Sequence, residues 1–273
     1  MDTDKNQKVL IVGGVAGGAS AAARLRRLDE KAEIIMFEKG DYISFANCGL
    51  PYYIGGVIPD RQDLLLQTPQ SFKARFNVDV RVRSTVTAID PEQKTVTVSC
   101  DGKTTEESYD KLILSPGALP LRPPIPGLEM DRVFTVRNIP DTVAVKQFID
   151  ENNPREAVVI GAGFIGLEVA ENLERLGIDV KIIEAADQIL PPVDPETARM
   201  AQEYLNDQGI TIHLNSAVTM VTADGSQLSV RTPGHEFSAD FVILSIGVRP
   251  DSDIAEKAGL AVNEKGAIRV DER

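Results

Sequence analysis

The chain has 273 residues, of which 42% are hydrophobic and 26% charged, and this composition predicts a globular protein with one large or two ordinary domains. Its formal net charge of −12 argues against a nucleic-acid partner, and its two cysteines and two histidines argue against a disulfide framework or a metal site. The polar N-terminus and the shortness of the apolar run 9–12 predict a cytoplasmic protein without a signal peptide or membrane span.

The first predicted element is a buried parallel strand, 8–12, followed directly by a glycine-rich turn and a helix over 21–28. The second strand, 33–38, ends in Glu38, 25 positions after Gly13. This arrangement is typical of a dinucleotide site, where the helix start faces the pyrophosphate and the acid binds a ribose hydroxyl. Val15 replaces the middle glycine of G-x-G-x-x-G, so an ordinary tight turn remains the alternative.

A single cysteine, Cys48, follows in the stretch 44–52, Ser-Phe-Ala-Asn-Cys-Gly-Leu-Pro-Tyr. Residues 41–46 are predicted to form a loop, and the residues after Cys48 to open a short helix. A reactive thiol needs exposure and nearby positive potential, which a helix start provides. In a reducing compartment such a cysteine is catalytic or redox-sensing, whereas the alternative is a small buried hydrophobic residue. We predict that Cys48 is a redox-active thiol.

The middle of the chain predicts a short helix, several strands and a stiff connector. Thr68 and a following proline predict a helix to residue 76, and alternating valines over 78–99 predict strands. Cys100 closes one of these strands and is predicted to be structural. Another apolar strand begins near residue 109 and ends in the small-residue turn 115–118. Four prolines within 119–127 mark the best domain boundary.

A second strand–turn–helix unit begins at 157–160 and continues with Gly161-Ala-Gly-Phe-Ile-Gly166, an intact G-x-G-x-x-G. The helix runs over 167–176, and the strand 180–183 ends in Glu184, 23 positions after Gly161. All parts of a dinucleotide fingerprint are present in order. Because a carboxylate repels the 2′-phosphate of NADPH and accepts the 2′-hydroxyl of NADH, Glu184 predicts a preference for NADH.

The remaining elements are a helix over 196–208 and strands at 210–214, 218–222, 228–231 and 241–246, the last reaching Gly247. His213 lies in an alternating strand and His235 in a polar turn. Neither has a partner carboxylate or cysteine at a telling spacing, so both are predicted to be structural.

Two nucleotide units with a cysteine soon after the first resemble the pyridine nucleotide-disulfide oxidoreductases, which bind FAD at the first unit and NAD(P)H at the second. The resemblance implies an α/β fold of two Rossmann-like domains of the three-layer ββα type. The FAD-binding domain, 1–120, carries Cys48, the NAD(P)H-binding domain, 121–248, is inserted in it, and 249–273 begins the return. The C-terminal dimerisation domain of the homodimeric full-length family is absent, so the chain is expected to be a fragment that binds FAD weakly.

The stretch 44–52 and the turn Gly13-Gly-Val-Ala-Gly-Gly18 are similar to those of coenzyme A-disulfide reductases and related CoA persulfide or polysulfide reductases. Residues 43 and 53, where a C-x4-C partner of Cys48 would stand, are Ile43 and Tyr53, so Cys48 must pair with an external thiol or cycle through a sulfenic acid. The implied mechanism passes a hydride from NADH to FAD and then electrons to a Cys48–S–S–CoA mixed disulfide. The freed thiolate attacks the next disulfide or persulfide.

Two alternatives stay open at this point. NADH oxidases and peroxidases share a single cysteine, although they usually carry a histidine where this chain has Ala16. A non-catalytic flavin- or NAD-binding redox sensor would use Cys48 to report the thiol pool to a partner.

The predicted site residues fall into three sets. For FAD they are Gly13, Gly14, Ala16, Gly18, Glu38, Lys39, Ser115, Gly117 and Ala118. For NAD(P)H they are Gly161, Gly163, Phe164, Ile165, Gly166, Glu184 and Gly247. For CoA the resemblance implies Arg24, Arg27, Ser44 and Asn47, and no metal is expected. The ordinary alternatives are a solvated helix charge for Arg27 and core packing for Phe164.

Overall fold

The structure is a computed structural model that describes residues 6–272. Its packing divides the chain into two compact units, neither of them continuous in sequence. Unit 1 comprises the chain up to Ala46, Leu65–Leu119 and the chain from Arg249 onward, and unit 2 comprises Asn47–Leu64 and Pro120–Val248. No helix among the described residues is long and apolar enough to cross a membrane.

The regular elements are numbered in chain order. The helices are α1 (Gly17–Leu28), α2 (Leu50–Ile54), α3 (Pro69–Phe76), α4 (Ile139–Asn152), α5 (Phe164–Arg175), α6 (Pro195–Asp207) and α7 (Asp253–Lys257), with 3₁₀ turns at Asn47–Gly49 and Arg61–Leu64. The strands are β1 (Lys8–Val12), β2 (Glu33–Phe37), β3 (Asp79–Arg81), β4 (Ser84–Asp90), β5 (Thr95–Cys100), β6 (Lys103–Ser108), β7 (Lys111–Leu114), β8 (Ala118–Pro120), β9 (Val133–Phe134), β10 (Glu156–Ile160), β11 (Asp179–Ile183), β12 (Thr211–His213), β13 (Met220–Asp224), β14 (Gln227–Arg231), β15 (Glu236–Ala239), β16 (Phe241–Leu244) and β17 (Val248–Pro250).

Unit 1 has three layers around a parallel sheet of order β3-β2-β1-β7. Alternate residues of β1 point to opposite faces, as a strand requires. Val9 and Ile11 pack with buried residues of α1 and with Phe72 of α3. Leu10 packs on the other face with valines of the antiparallel sheet β4-β5-β6. These three layers confirm the predicted ββα architecture.

An ion-pair network joins strands β1, β3 and β6 of unit 1. Glu107 of β6 accepts hydrogen bonds from Lys8 of β1 and, at 2.7 Å, from Arg81 of β3. Arg81 also pairs with Asp79 at 2.8 Å. Burial alone would raise the pKa of Glu107, but the hydrogen bonds and charges of Lys8 and Arg81 outweigh it and lower that pKa.

Unit 2 repeats this plan on a parallel sheet of order β12-β11-β10-β16-β9. One face of the sheet packs on the antiparallel sheet β13-β14-β15, burying Val158, Val230 and Phe237 in one cluster. Helices α4 and α5 contact strands of the parallel sheet, and α2 contacts both helices. The predicted Rossmann-like fold is therefore present twice.

Helix α4 and strands β9 and β15 of unit 2 were not predicted. Helix α4 is capped by Asn138, whose side chain accepts a hydrogen bond from the Asp141 amide, and Pro140 lies in its first turn. Strand β15 pairs with β14 in the antiparallel sheet. The asparagine–proline start of α4 is a sequence signal that could have revealed this helix.

Candidate functional site

The first glycine turn joins β1 to α1 through two positions where only glycine fits. Gly13 has a φ of +96°, and a Cβ on it would lie 2.1 Å from the Ser115 carbonyl oxygen. A Cβ on Gly18 would lie 1.7 Å from the Gly13 carbonyl oxygen, so α1 passes directly over the end of β1. The turn is thus closed tightly, as a dinucleotide site requires.

Glu38, at the end of β2, is buried, and its carboxylate holds the backbone of this turn. One oxygen accepts the Gly14 amide and the other accepts the Gly40 amide, both at 2.8 Å. A side chain on Gly14 would meet Ile43 and Glu38 itself. The glycine that lets the backbone of this turn approach the acid is therefore Gly14, and a glycine is not needed at the position of Val15.

The rest of the first site is open and polar. Helix α1 starts at exposed residues, and its N-cap residue, Ala16, offers no side-chain oxygen to the helix amides. The hydroxyl of Ser115 is buried and has no hydrogen-bond partner among the described residues. Ser115 leads into Gly117, which has a φ of +80°, and then Ala118. Free helix amides and an unpartnered hydroxyl fit the phosphates of a dinucleotide such as FAD.

Lys39 follows Glu38 and is already engaged within unit 1. Its ammonium donates to the Asp251 carboxylate at 2.7 Å, and the Asp251 amide donates to the Gly117 carbonyl. Asp251 lies 212 positions away in sequence, so sequence patterns could not reveal this pair. A contact between Lys39 and FAD stays a prediction.

The second glycine turn has the same construction. Gly161 has a φ of +102°, and a Cβ on it would lie 2.6 Å from the Ser245 carbonyl oxygen. A Cβ on Gly166 would lie 2.1 Å from the Gly161 carbonyl oxygen. Ser245 corresponds in position to Ser115, but its hydroxyl donates to the carbonyls of Ile160 and Gly161.

Glu184 holds the second turn as Glu38 holds the first. One of its oxygens accepts the Ala162 amide at 2.7 Å and the other accepts the Ala186 amide at 2.8 Å. Each carboxylate oxygen has a second lone pair, which remains for the hydroxyls of a ribose. Glu184 was predicted from its spacing in the sequence as a ribose-binding acid, and its hydrogen bonds also stabilise the backbone of the glycine turn.

The start of α5 presents apolar side chains to solvent. Phe164 is 59% exposed and Ile165 is 42% exposed, which contradicts the core-packing alternative for Phe164. Gly163, the N-cap, has open space around its Cβ position. Gly247 has a φ of +117°, and its carbonyl accepts the Leu121 amide. One turn into α5, burial first and then the charge of Glu171 raise the pKa of Glu168.

Cys48 is exposed and free, which contradicts its alternative as a small buried hydrophobic residue. It lies in the 3₁₀ turn Asn47–Gly49, directly before α2. Its assignment to an FAD-binding domain over 1–120 stays a prediction, while its packing groups Cys48 with unit 2. The physical reason is that Leu50 and Ile54 of α2 are buried where this helix packs on α4 and α5.

The residues predicted for CoA are divided between the two units. Arg24, Arg27 and Ser44 belong to unit 1, and Asn47 belongs to unit 2 with Cys48. Arg24 and Arg27 are exposed, and their guanidinium groups make no hydrogen bond or ion pair within residues 6–272. Two free guanidinium groups one helical turn apart suit the phosphates of a ligand.

Neighbouring Arg26 differs from these two arginines. Its guanidinium donates to five backbone carbonyls, those of Phe76, Asp29, Glu30, Ala32 and Asn77. Ser44 has a φ of +43°, which is unusual for a residue with a side chain, and its amide donates to the Gly14 carbonyl. The loop before Cys48 is thus fixed to the first glycine turn.

The other titratable candidates from the sequence are His213, His235 and Cys100, and their structural role stays a prediction. His213 and His235 have ring centroids 6.1 Å apart, and burial, followed by His235 and Lys181, lowers the pKa of His213. Within the described part of the chain, no group of three or more His, Cys, Asp or Glu side chains could hold a metal ion. Cys100 ends β5 beside Asp101.

A scan of protein-family models matches residues 7–273 to the pyridine nucleotide-disulphide oxidoreductase family. Among curated proteins, the coenzyme A disulfide reductase of Staphylococcus haemolyticus is 38% identical over 98% of this chain. The NADH oxidase of Methanocaldococcus jannaschii is 36% identical over 97% of it. The chain spans about 60% of the length of both relatives.

Two solved structures resemble this chain over nearly its whole length. Reduced Bacillus anthracis CoADR-RHD superposes with a TM-score of 0.95 at 50% identity, covering 99% of this chain and 49% of that one. A NAD-dependent persulfide reductase from A. fulgidus superposes with a TM-score of 0.93 at 38% identity, covering 97% of this chain and 50% of that one.

Proposed function

The chain belongs to the pyridine nucleotide-disulphide oxidoreductase family, and we propose that it serves an FAD-dependent NAD(P)H oxidoreductase that reduces CoA disulfide or a CoA persulfide through Cys48. The observation that carries this proposal is the exposed, unpaired thiol of Cys48 in the turn before α2. Relatives named as CoA disulfide reductase and persulfide reductase support the substrate class.

The cofactor assignments follow the two glycine turns. Unit 1 would hold FAD through its glycine turn, the start of α1, Glu38 and Ser115. Unit 2 would hold the nicotinamide nucleotide through Gly161–Gly166 and Glu184, whose free lone pairs favour the ribose hydroxyls of NADH over the 2′-phosphate of NADPH. A bound flavin accepts the hydride of NAD(P)H and passes an electron pair to a disulfide.

The thiol chemistry belongs to Cys48. Its thiolate attacks one sulfur of CoA disulfide, forms a Cys48–S–S–CoA bond and releases CoA as thiolate. Two electrons from NAD(P)H then break that bond and return the Cys48 thiolate, while CoA leaves and takes up a proton. With a persulfide, the leaving group is a sulfide species. We assign binding of the CoA phosphates to Arg24 and Arg27, and contacts near the thiol to Ser44 and Asn47.

The test compares Cys48→Ser with Cys100→Ser in the flavin-loaded protein. NAD(P)H oxidation dependent on CoA disulfide should be abolished in the first variant and retained in the second, while both keep their flavin. Continued turnover in Cys48→Ser would overturn the single-thiol mechanism. Mass spectrometry of the purified protein adds a direct measurement, because the proposal expects a CoA adduct on Cys48.

A second candidate is an NADH oxidase, favoured by the M. jannaschii relative of that name. It predicts NADH oxidation with oxygen alone and no stimulation by CoA disulfide. A redox sensor predicts no sustained NADH oxidation with either acceptor. Steady-state assays with each acceptor, run on one preparation, therefore separate the three functions.

The whole protein's homodimeric state stays a prediction.

A further inference from the structure

Asn172 is a buried polar residue of α5 that neither glycine turn uses. Its side chain is fully buried. The Nδ2 group donates to the Glu168 carbonyl at 2.8 Å, but the Oδ1 atom is buried without a hydrogen-bond partner in the described structure. A buried, unpartnered amide oxygen lowers stability, because it gives up its hydrogen bonds to water without replacement. Asparagine at this position therefore needs a reason other than helix stability.

The Oδ1 atom is directed at Gly55, the C-cap residue that follows α2. A Cβ on Gly55 would lie 2.3 Å from Oδ1 and 2.8 Å from the Cβ of Asn172. Gly55 has a φ of −73°, which any amino acid adopts easily. The requirement for glycine at position 55 thus comes from the Asn172 side chain and not from the backbone.

This contact fixes α2 at its end, and α2 begins two residues after Cys48. The helix has only five residues, so a shift at Gly55 is passed to the 3₁₀ turn that contains the thiol. We infer that Asn172 is a positioning residue for Cys48, acting through its contact with Gly55. The inference rests on the proposed function of Cys48 and extends it, because it makes α5, whose first turn belongs to the nucleotide loop, the support of the thiol as well.

The consequence is a link between packing and thiol reactivity. Reactivity depends on exposure and on the local potential around the sulfur, both of which change when the thiol moves. Displacements near 1 Å in a positioned group can change reaction rates by roughly 100-fold. A residue that only stabilised the fold would change the melting temperature without changing the reactivity of Cys48.

The experiment uses the full chain in a Cys100→Ser background, so that Cys48 is its single thiol. The rate of alkylation by iodoacetamide is measured from pH 5 to 10. The variants are Asn172→Ala, Asn172→Ser, Gly55→Ala and the double variant that combines Asn172→Ala with Gly55→Ala. Serine keeps a donor for the Glu168 carbonyl but removes the oxygen directed at Gly55. Gly234→Ala is the control, because its Cβ position has open space and no positive φ is recorded for it.

We expect each single variant at 55 or 172 to change the alkylation rate at pH 7 by about threefold or more, with a displaced pH profile. In the double variant the new methyl group occupies space that the amide has left, and the profile should return toward that of the parent. Gly234→Ala should match the parent throughout.

Unchanged alkylation profiles in folded Asn172→Ser and Gly55→Ala would overturn the inference, even if their melting temperatures fell. Failure of the double variant to move toward the parent would also overturn it, because the steric contact would then not be the cause. The alkylation assay needs no CoA substrate. It therefore reports on the positioning role even if the parent fails to reduce CoA disulfide, which is the outcome that refutes the proposed function.

Discussion

Replacing Glu184 with glutamine tests whether the acid at the second glycine turn binds the ribose of NADH. The carboxylate accepts the amides of Ala162 and Ala186 at 2.7 and 2.8 Å. An amide side chain keeps one acceptor and turns an NH₂ group toward the other backbone donor. It also removes the negative charge to which a ribose hydroxyl of NADH would donate, and a hydrogen bond to a charged group is worth about 1.5–3 kcal/mol. Since 1.4 kcal/mol is a tenfold change in affinity, NADH binding should weaken roughly 10- to 150-fold.

The assay is a calorimetric titration of NADH into the parent protein and into Glu184→Gln at fixed salt. Glu38→Gln is the matched control, because Glu38 makes the same pair of backbone contacts in the other unit. That control should leave NADH affinity within about twofold and should weaken flavin retention instead. An NADH dissociation constant that is unchanged in Glu184→Gln, or equally affected in both variants, would refute the reasoning.

Two further predictions concern unit 1. Arg24→Ala and Arg27→Ala should each raise the KM for CoA disulfide without lowering the melting temperature. Arg26→Ala should lower the melting temperature, because Arg26 alone of the three is bonded to backbone carbonyls. An unchanged KM in both Arg24→Ala and Arg27→Ala would remove these residues from the CoA site. The pKa of Glu107 is lowered in the folded state, so its stabilising contribution is present above the ordinary value of 4.5 and is lost as the pH falls through the folded-state pKa. Urea titrations from pH 6 to 3 should show this loss in the parent and a shallower one in Glu107→Gln.

The glycine turns and acidic strand ends could be predicted because they are local. Gly13 and Gly161 must adopt positive φ directly after a strand, and Glu38 and Glu184 follow at a spacing that the fold dictates. The hydrogen bonds that these acids accept from backbone amides of the turns were not predicted. A spacing rule gives the residue that lies near a ligand, but not the contacts it makes without one.

Contacts between distant parts of the sequence could not be predicted. The pairing of Lys39 with Asp251 depends on how the chain after residue 249 returns to unit 1. The placement of Cys48 in unit 2 depends on the packing of Leu50 and Ile54 where α2 contacts α4 and α5. Asn172 was missed because a single asparagine in an apolar helix resembles any other polar substitution until its buried oxygen is seen against Gly55.

Helix α2 is far in sequence from the helices on which it packs. This separation determines when, during synthesis, the thiol becomes positioned. Helix α2 ends at Ile54, but α5 is completed about 120 residues later. At translation rates of roughly 5–20 residues per second, the nascent chain carries Cys48 on an unsupported helix for about 6–24 s. During that interval α2 lacks the packing contacts with α4 and α5 that position the thiol. The position of the thiol is therefore set only after the second glycine turn and its helix have been synthesised.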